Sequence, residues 1–220
     1  MRRLVFAGVL ALPFLVTAPA SAAQPRIYHT ITASLAQAEV SRTVGCVQMD
    51  AIVSSTVAMY AGQPGPVNKQ GFTDVFVRVT DACSVTAAAG GGPVIAEYEG
   101  SAAVPLRVDP RLRRASVSAA MQDRDTSVPI SVTVSWTGVG DLEHTTSHIH
   151  ELFRGEGVVS SSANDLRRQA VATLSLHVGD VVALQDVEAG NAFMEQTKAR
   201  CIEVPRPGVE GFFPCFGIPG

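Results

Sequence analysis

Ser127–Trp136 reads SVPISVTVSW. Val128, Ile130, Val132, Val134 and Trp136 share one parity, while Ser131, Thr133 and Ser135 share the other. Strict two-residue alternation built on β-branched side chains is the mark of a strand with one face in a core and one in water. The phase puts Trp136 inside.

The same period appears on both sides of this stretch. FTDVFVRVT places Val75, Val77 and Val79 on one face, and VQMDAIVSSTVAM does so with Val47, Met49, Ala51, Val53, Val57 and Met59. RASVSAAM aligns Ala115, Val117, Ala119 and Met121, and RQAVATLSLHV aligns Ala170, Ala172, Leu174, Leu176 and Val178. SLAQAEVSRTV has some helical character, but its Ile and Thr neighbours favour a strand. Turn-forming clusters punctuate these runs: AGQPGPVNKQG, AAAGGGP, VDPR, QDRD, TGVGD, RGEG, VGD and EAGN. Short alternating strands separated by such turns predict an all-β protein, an antiparallel β-sandwich of about nine or ten strands. AAAGGGP, Ala87 to Pro93, is the one place where two smaller β modules could divide; a single sandwich accounts better for the continuous strand pattern.

The first 22 residues read differently. Arg2 and Arg3 precede an apolar run from Leu4 to Val16, and Ala20-Ser21-Ala22 follows. This is the plan of a secretory signal peptide, and the run is shorter than the roughly 20 residues a membrane-spanning helix needs. Residues 23–200 then make the β domain and 201–220 the tail. No later stretch of the mature chain is long and apolar enough to span a membrane as a helix. Loss of the leader takes the formal charge from −3 to −5, which argues against a nucleic-acid partner, since that calls for a basic surface. Lys69 and Lys198 are the two lysines; the preference for arginine suggests a GC-rich bacterial genome.

Cys46, Cys83, Cys201 and Cys215 are even in number in a chain that reads as exported, which favours disulfides and a secreted or extracytoplasmic setting. Pairing of sequence neighbours gives Cys46–Cys83 and Cys201–Cys215, each stabilising by about 3–4 kcal/mol through loop closure. No CxxC spacing supports a four-thiolate metal site. The tail, RCIEVPRPGVEGFFPCFGIPG, holds prolines that exclude regular structure. Its Phe212, Phe213 and Phe216 suit either a cap on the core or a contact patch.

Three of the five histidines, His144, His148 and His150, fall in EHTTSHIHELF, Glu143–Phe153. β-Branched Thr145, Thr146 and Ile149 favour a strand here. Residues two apart on a strand point the same way at roughly 6.6 Å, so His148 and His150 can close on one ion; His144, about 13 Å from His148 by the same rise, cannot. A hairpin whose two-residue loop is Glu156-Gly157 would bury Ile149 and Phe153, leave the histidines wet and set Asp165 opposite His148. A three-residue loop would turn His148 and His150 inward unless a bulge reset the phase, and the shorter loop is expected because it buries more apolar area. The candidate metal ligands are therefore His148, His150 and Asp165, with zinc or copper as the ion.

Other constellations read as turns. The serines 160–162, the Asp123/Asp125 pair, and the Arg107, Arg111, Arg113 and Arg114 group all fit loop chemistry better than a catalytic serine, calcium or an anionic-polymer site. No GxSxG, HExxH, phosphate loop or redox CxxC is present. The sequence alone does not decide whether the protein is an enzyme, because a serine–histidine–acid set need not be contiguous. It supports a non-catalytic secreted or envelope-associated protein that binds a protein or an envelope polymer. The alternative is a metal carrier or metalloenzyme centred on His148 and His150.

Overall fold

The computed structural model describes residues 26–62, 68–84 and 92–209. The leader, Cys215 and the tail phenylalanines lie outside them. Among the described residues all regular structure is strand: β1 Ile27–Val44, β2 Val47–Gly62, β3 Asn68–Gln70, β4 Thr73–Asp81, β5 Val94–Ala102, β6 Arg107–Val108, β7 Arg114–Gln122, β8 Pro129–Gly138, β9 Glu143–Phe153, β10 Gly157–Val178, β11 Val182–Glu188 and β12 Asn191–Pro205. Every pairing is antiparallel.

The all-β antiparallel class is as expected; the arrangement differs from the expected two-sheet sandwich of nine or ten strands. Twelve strands form one continuous open sheet, ordered β5-β4-β2-β1-β12-β10-β8-β7-β6, with β3, β9 and β11 attached beside β2 and β10. The reason is strand length. β10 runs 22 residues, pairing with β12 and β9 over its first half and with β8 and β11 over its second. It therefore carries one packed region into the next without a break.

The alternating stretches pack as their phase predicts. Ile130, Val132, Val134 and Trp136 of β8 are buried, as are Val75, Val77 and Val79 of β4, Ala115, Val117 and Ala119 of β7, and Ala172, Leu174, Leu176 and Val178 of β10. They join Ala36, Ala38 and Val40 of β1 and Met49, Ala51 and Val53 of β2 in one contiguous core. SLAQAEVSRTV is thus strand. In β2 the alternation outruns the core, and Val47 and Met59 are exposed. Both flanks of the Ala87–Pro93 region feed the same core, and β4 pairs directly with β5.

The two halves of the core are joined by specific contacts. The Trp136 indole N–H donates to the Gln37 carbonyl at 2.9 Å. Near the two ends of the strand path, the Arg124 N–H donates to the Glu99 carbonyl at 2.8 Å and the Glu99 N–H to the Asp123 carboxylate at 2.7 Å. Gly138 ends β8 where a side chain has no room: a Cβ there would lie 2.2 Å from the Leu112 carbonyl oxygen.

A second feature was not legible from alternation. In the three central strands the buried parity switches along the strand. β12 buries Ala192, Met194 and Gln196 at one end, but Cys201, Glu203 and Pro205 at the other. β1 likewise passes from Ala36, Ala38 and Val40 back to His29, and β10 from Ala172 and Leu174 back to Gly157 and Val159. The β1–β12 and β10–β12 ladders carry no register shift. The sheet is therefore covered on opposite faces at its two ends, and Val159 and Cys201 form a small separate cluster with Phe153 and Val209.

The Cys46–Cys83 disulfide is present, as expected. Cys201 is buried and no cysteine is free among the described residues; Cys215, its expected partner, lies outside them. No helix among the described residues is long and apolar enough to cross a membrane.

Candidate functional site

β9 carries the histidines. It is held between Gly140 at φ 66° and Gly155 at φ 87°, left-handed positions that glycine adopts at little cost. All of its residues are exposed except Phe153, which is half-buried. Among the described residues it pairs with β10 alone, so its other edge is open.

The hairpin register differs from the expected one. The loop is three residues, Arg154 to Glu156, closed by the Glu156 N–H on the Phe153 carbonyl at 3.1 Å, and Phe153 pairs with Gly157. His148 then lies opposite Ser162 and His150 opposite Ser160. Asp165 lies opposite Thr145, on the other face of the sheet, and accepts a hydrogen bond from the Thr197 hydroxyl at 2.6 Å. The structure therefore keeps His148 and His150 together and does not bring Asp165 to them. Among the described residues no three His, Cys, Asp or Glu side chains are grouped to hold a metal ion.

The two-residue loop is the expected one only if it buries more apolar area. That gain does not exist here, because β9 lies beyond the main core, and Ile149 is 41% exposed. The histidines share parity with Ala172, Leu174 and Leu176 of β10, which face the core. They point to the core side of the sheet at a level the core does not reach.

The serine run is also corrected. Ser160 and Ser162 belong to β10, not to a loop, and stand directly across from the two histidines. Beyond them in register come Ile202 and Arg200 of β12, then Tyr28 and Thr30 of β1. This forms a broad polar surface on the histidine side.

The opposite face holds features that sequence reasoning missed. His29 Nε2 lies 3.3 Å from the Glu203 carboxylate, and both side chains are buried. The one available signal was that Glu203 shares parity with Cys201 on a strand. Farther along, Leu35, Tyr60, Phe72, Gln70 and Glu195 help line a groove of about 400 Å³. Arg167 stacks 4.7 Å over Phe193 and pairs with Glu195 at 3.3 Å.

Of the remaining candidates, Asp123, Asp125, Arg111 and Arg113 lie in turns, as read, whereas Arg107 and Arg114 lie in β6 and β7. Asp109 accepts from the Arg111 N–H at 2.7 Å and from the Arg113 guanidinium at 2.8 Å; the Arg113 hydrogen bond leads in holding its carboxyl below the ordinary value. Between the two arginines Leu112, at φ 52°, turns fully into the core. Asp123 is buried and accepts from the Thr126 hydroxyl at 2.6 Å, the Thr126 N–H at 2.7 Å, the Asp125 N–H at 3.2 Å and the Glu99 N–H at 2.7 Å. The Thr126 hydroxyl leads in lowering its pKa to about 2, the backbone N–H groups add to this, and burial opposes them.

The folded-state value lies below the unfolded one of about 3.9. Asp123 therefore contributes stability above that value, and the contribution disappears as pH falls toward about 2. Chemical denaturation from pH 5 down to pH 2 is expected to show a smaller acid-dependent loss in Asp123→Asn than in the parent. Parallel profiles would show that the carboxylate is not the titrating group.

No protein-family model matches the chain, and no curated protein matches it.

Proposed function

We propose that the chain is a non-catalytic binding protein, secreted or envelope-associated, that engages its partner through the open edge of β9. The observation that carries this reading is the strand itself: eleven residues, ten of them exposed, on an edge that no other described strand pairs with. Proteins usually shorten, bulge or charge such edges to prevent pairing. β9 is long, and its pairing with β10 is free of bulges. An added strand would gain main-chain hydrogen bonds from the edge and side-chain contacts from both faces. The Cys46–Cys83 disulfide and the signal-peptide pattern support an extracytoplasmic setting.

Ile149→Lys tests the reading. The site is exposed, so the fold should change by no more than about 0.5 kcal/mol, while a lysine on an edge opposes strand addition. Immobilised parent protein is expected to retain proteins or envelope polymers from the exported fraction that the variant does not. Equal retention by both would overturn the edge as the binding surface.

A metal-centred reading, as a zinc or copper carrier or a metalloenzyme, draws on the adjacency of His148 and His150. Among the described residues of one copy they supply two imidazoles and Asp165 faces away, so that reading needs further ligands from beyond these residues.

A further inference from the structure

Resting on the reading of β9 as a binding edge, we infer that its partner is a second copy of this chain, with the two β9 strands paired antiparallel about Ile149 and a Zn²⁺ ion held by His148 and His150 of both copies.

The inference starts from an incompleteness. His148 and His150 lie on one exposed face of one strand, and a tetrahedral zinc site takes four ligands. Two imidazoles from one chain are half of such a site. Among the described residues the adjoining backbone edge is open, so the missing half can come from the molecule that fills that edge.

Two-fold symmetry limits how β9 can pair with itself. Residues directly opposite in an antiparallel pair point to the same face, so the symmetry axis must pass through a residue, which then faces its own copy. Centring on Ser147 sets Glu143 against Glu151 of the other copy, and like charges directly opposite are destabilising. Centring on His148 sets His150 against Thr146 and spreads the imidazoles along the strand. Centring on Ile149 sets His148 against His150 in both directions. Four imidazoles then stand at the corners of a rectangle, roughly 6.6 Å along the strands and about 5 Å across them.

The remaining positions agree with this register. Ile149, 41% exposed in the single chain, meets Ile149 of the other copy on the far face. Leu152, 62% exposed, lies opposite Thr146, and Glu151 lies opposite Ser147. His144 falls opposite Arg154, outside the four-imidazole cluster. The ion answers the question raised by three histidines on one strand: two are ligands and the third is not.

Sedimentation of the exported, untagged chain with Zn²⁺ and with EDTA tests the inference, with bound zinc measured on the same samples. The expected result is a dimer holding one zinc per two chains, reverting toward monomer in EDTA. His148→Ala and His150→Ala should each abolish the zinc-dependent dimer, His144→Ala should leave it intact, and Ile149→Lys should abolish it. The native fluorescence of Trp136 reports that each variant is folded. A parent that stays monomeric at every zinc concentration would overturn the inference, as would zinc bound to a monomer or a zinc dimer lost only with His144→Ala. Monomeric parent with Ile149-dependent retention of another exported component would leave the edge reading standing. Loss of both would remove it too.

Discussion

Trp136→Ala is expected to destabilise the protein by about 3–5 kcal/mol, the range for deleting a large buried aromatic side chain. Trp136 is fully buried at the end of β8, among the side chains of the main core. Its indole N–H also donates to the Gln37 carbonyl of β1 at 2.9 Å, so the substitution leaves a cavity and removes the indole donor from a part-buried carbonyl. For a chain of this size the loss corresponds to a fall in Tm of roughly 10 °C. Trp136→Phe separates the two effects, retaining much of the volume while losing the donor, and should cost clearly less. Equilibrium denaturation of the three proteins measures both steps. A loss below about 0.5 kcal/mol, the usual range for surface positions, would place this side chain outside the core and contradict the phase of β8. Trp136 is also the one tryptophan of the chain, so native emission typical of a water-exposed indole would contradict the same point directly.

Removal of the Cys46–Cys83 bond has the next largest expected effect. It joins residues 37 apart in sequence, and closing a loop of that length in the unfolded chain is worth about 4 kcal/mol on the chain-entropy model. In the folded protein Cys46 sits in the β1–β2 turn, where Gly45 takes φ 59°, as two-residue hairpins with glycine first require. Cys83 follows β4, beside the last β2–β4 pair, Val47 with Asp81. The Ala82 N–H donates to the Cys46 carbonyl at 2.8 Å and the Cys83 N–H to the Asp81 carboxylate at 2.9 Å, so local hydrogen bonds hold the ends together without the bond. The Cys46→Ala/Cys83→Ala chain should therefore reach the same fold with lower stability. Denaturation of the double variant against the parent tests this without a reductant, which would also act on Cys201. A difference under about 1 kcal/mol would show that the unfolded chain gains little freedom when this loop opens.

Much of the fold was legible because alternation is a local property. SVPISVTVSW needs no knowledge of its partners to reveal which of its residues want to leave water, and Ile130, Val132, Val134 and Trp136 are buried as read. The same holds for β4, β7 and the second half of β10. The neighbour pairing of Cys46 with Cys83 was legible for a related reason: β2 and β4 are consecutive long strands, and antiparallel pairing returns their ends to one place.

The candidate site was legible only in part. That His148 and His150 share a face follows from strand geometry alone. Their relation to Asp165 depended on a three-residue loop where two had been favoured, and that one residue moved Asp165 to the other face. Apolar burial selects the shorter loop only where one face of β9 is covered, and neither face is.

Local pattern was enough to identify the clearly alternating stretches as strands, to set the phase of β4, β7, β8 and the second half of β10, and to give one covalent link. It did not single out β5, β11 or β12, and β12 continues as strand through Cys201 to Pro205, where the prolines suggest an irregular tail. Tertiary structure alone decided how far the core extends, that β1, β10 and β12 exchange their covered face along their length, and that the histidine strand stands at an open edge. The physical reason is that periodicity sorts side chains between two faces, whereas burial also requires another layer opposite the face. Whether that layer is present depends on residues distant in the chain, and no local pattern encodes it.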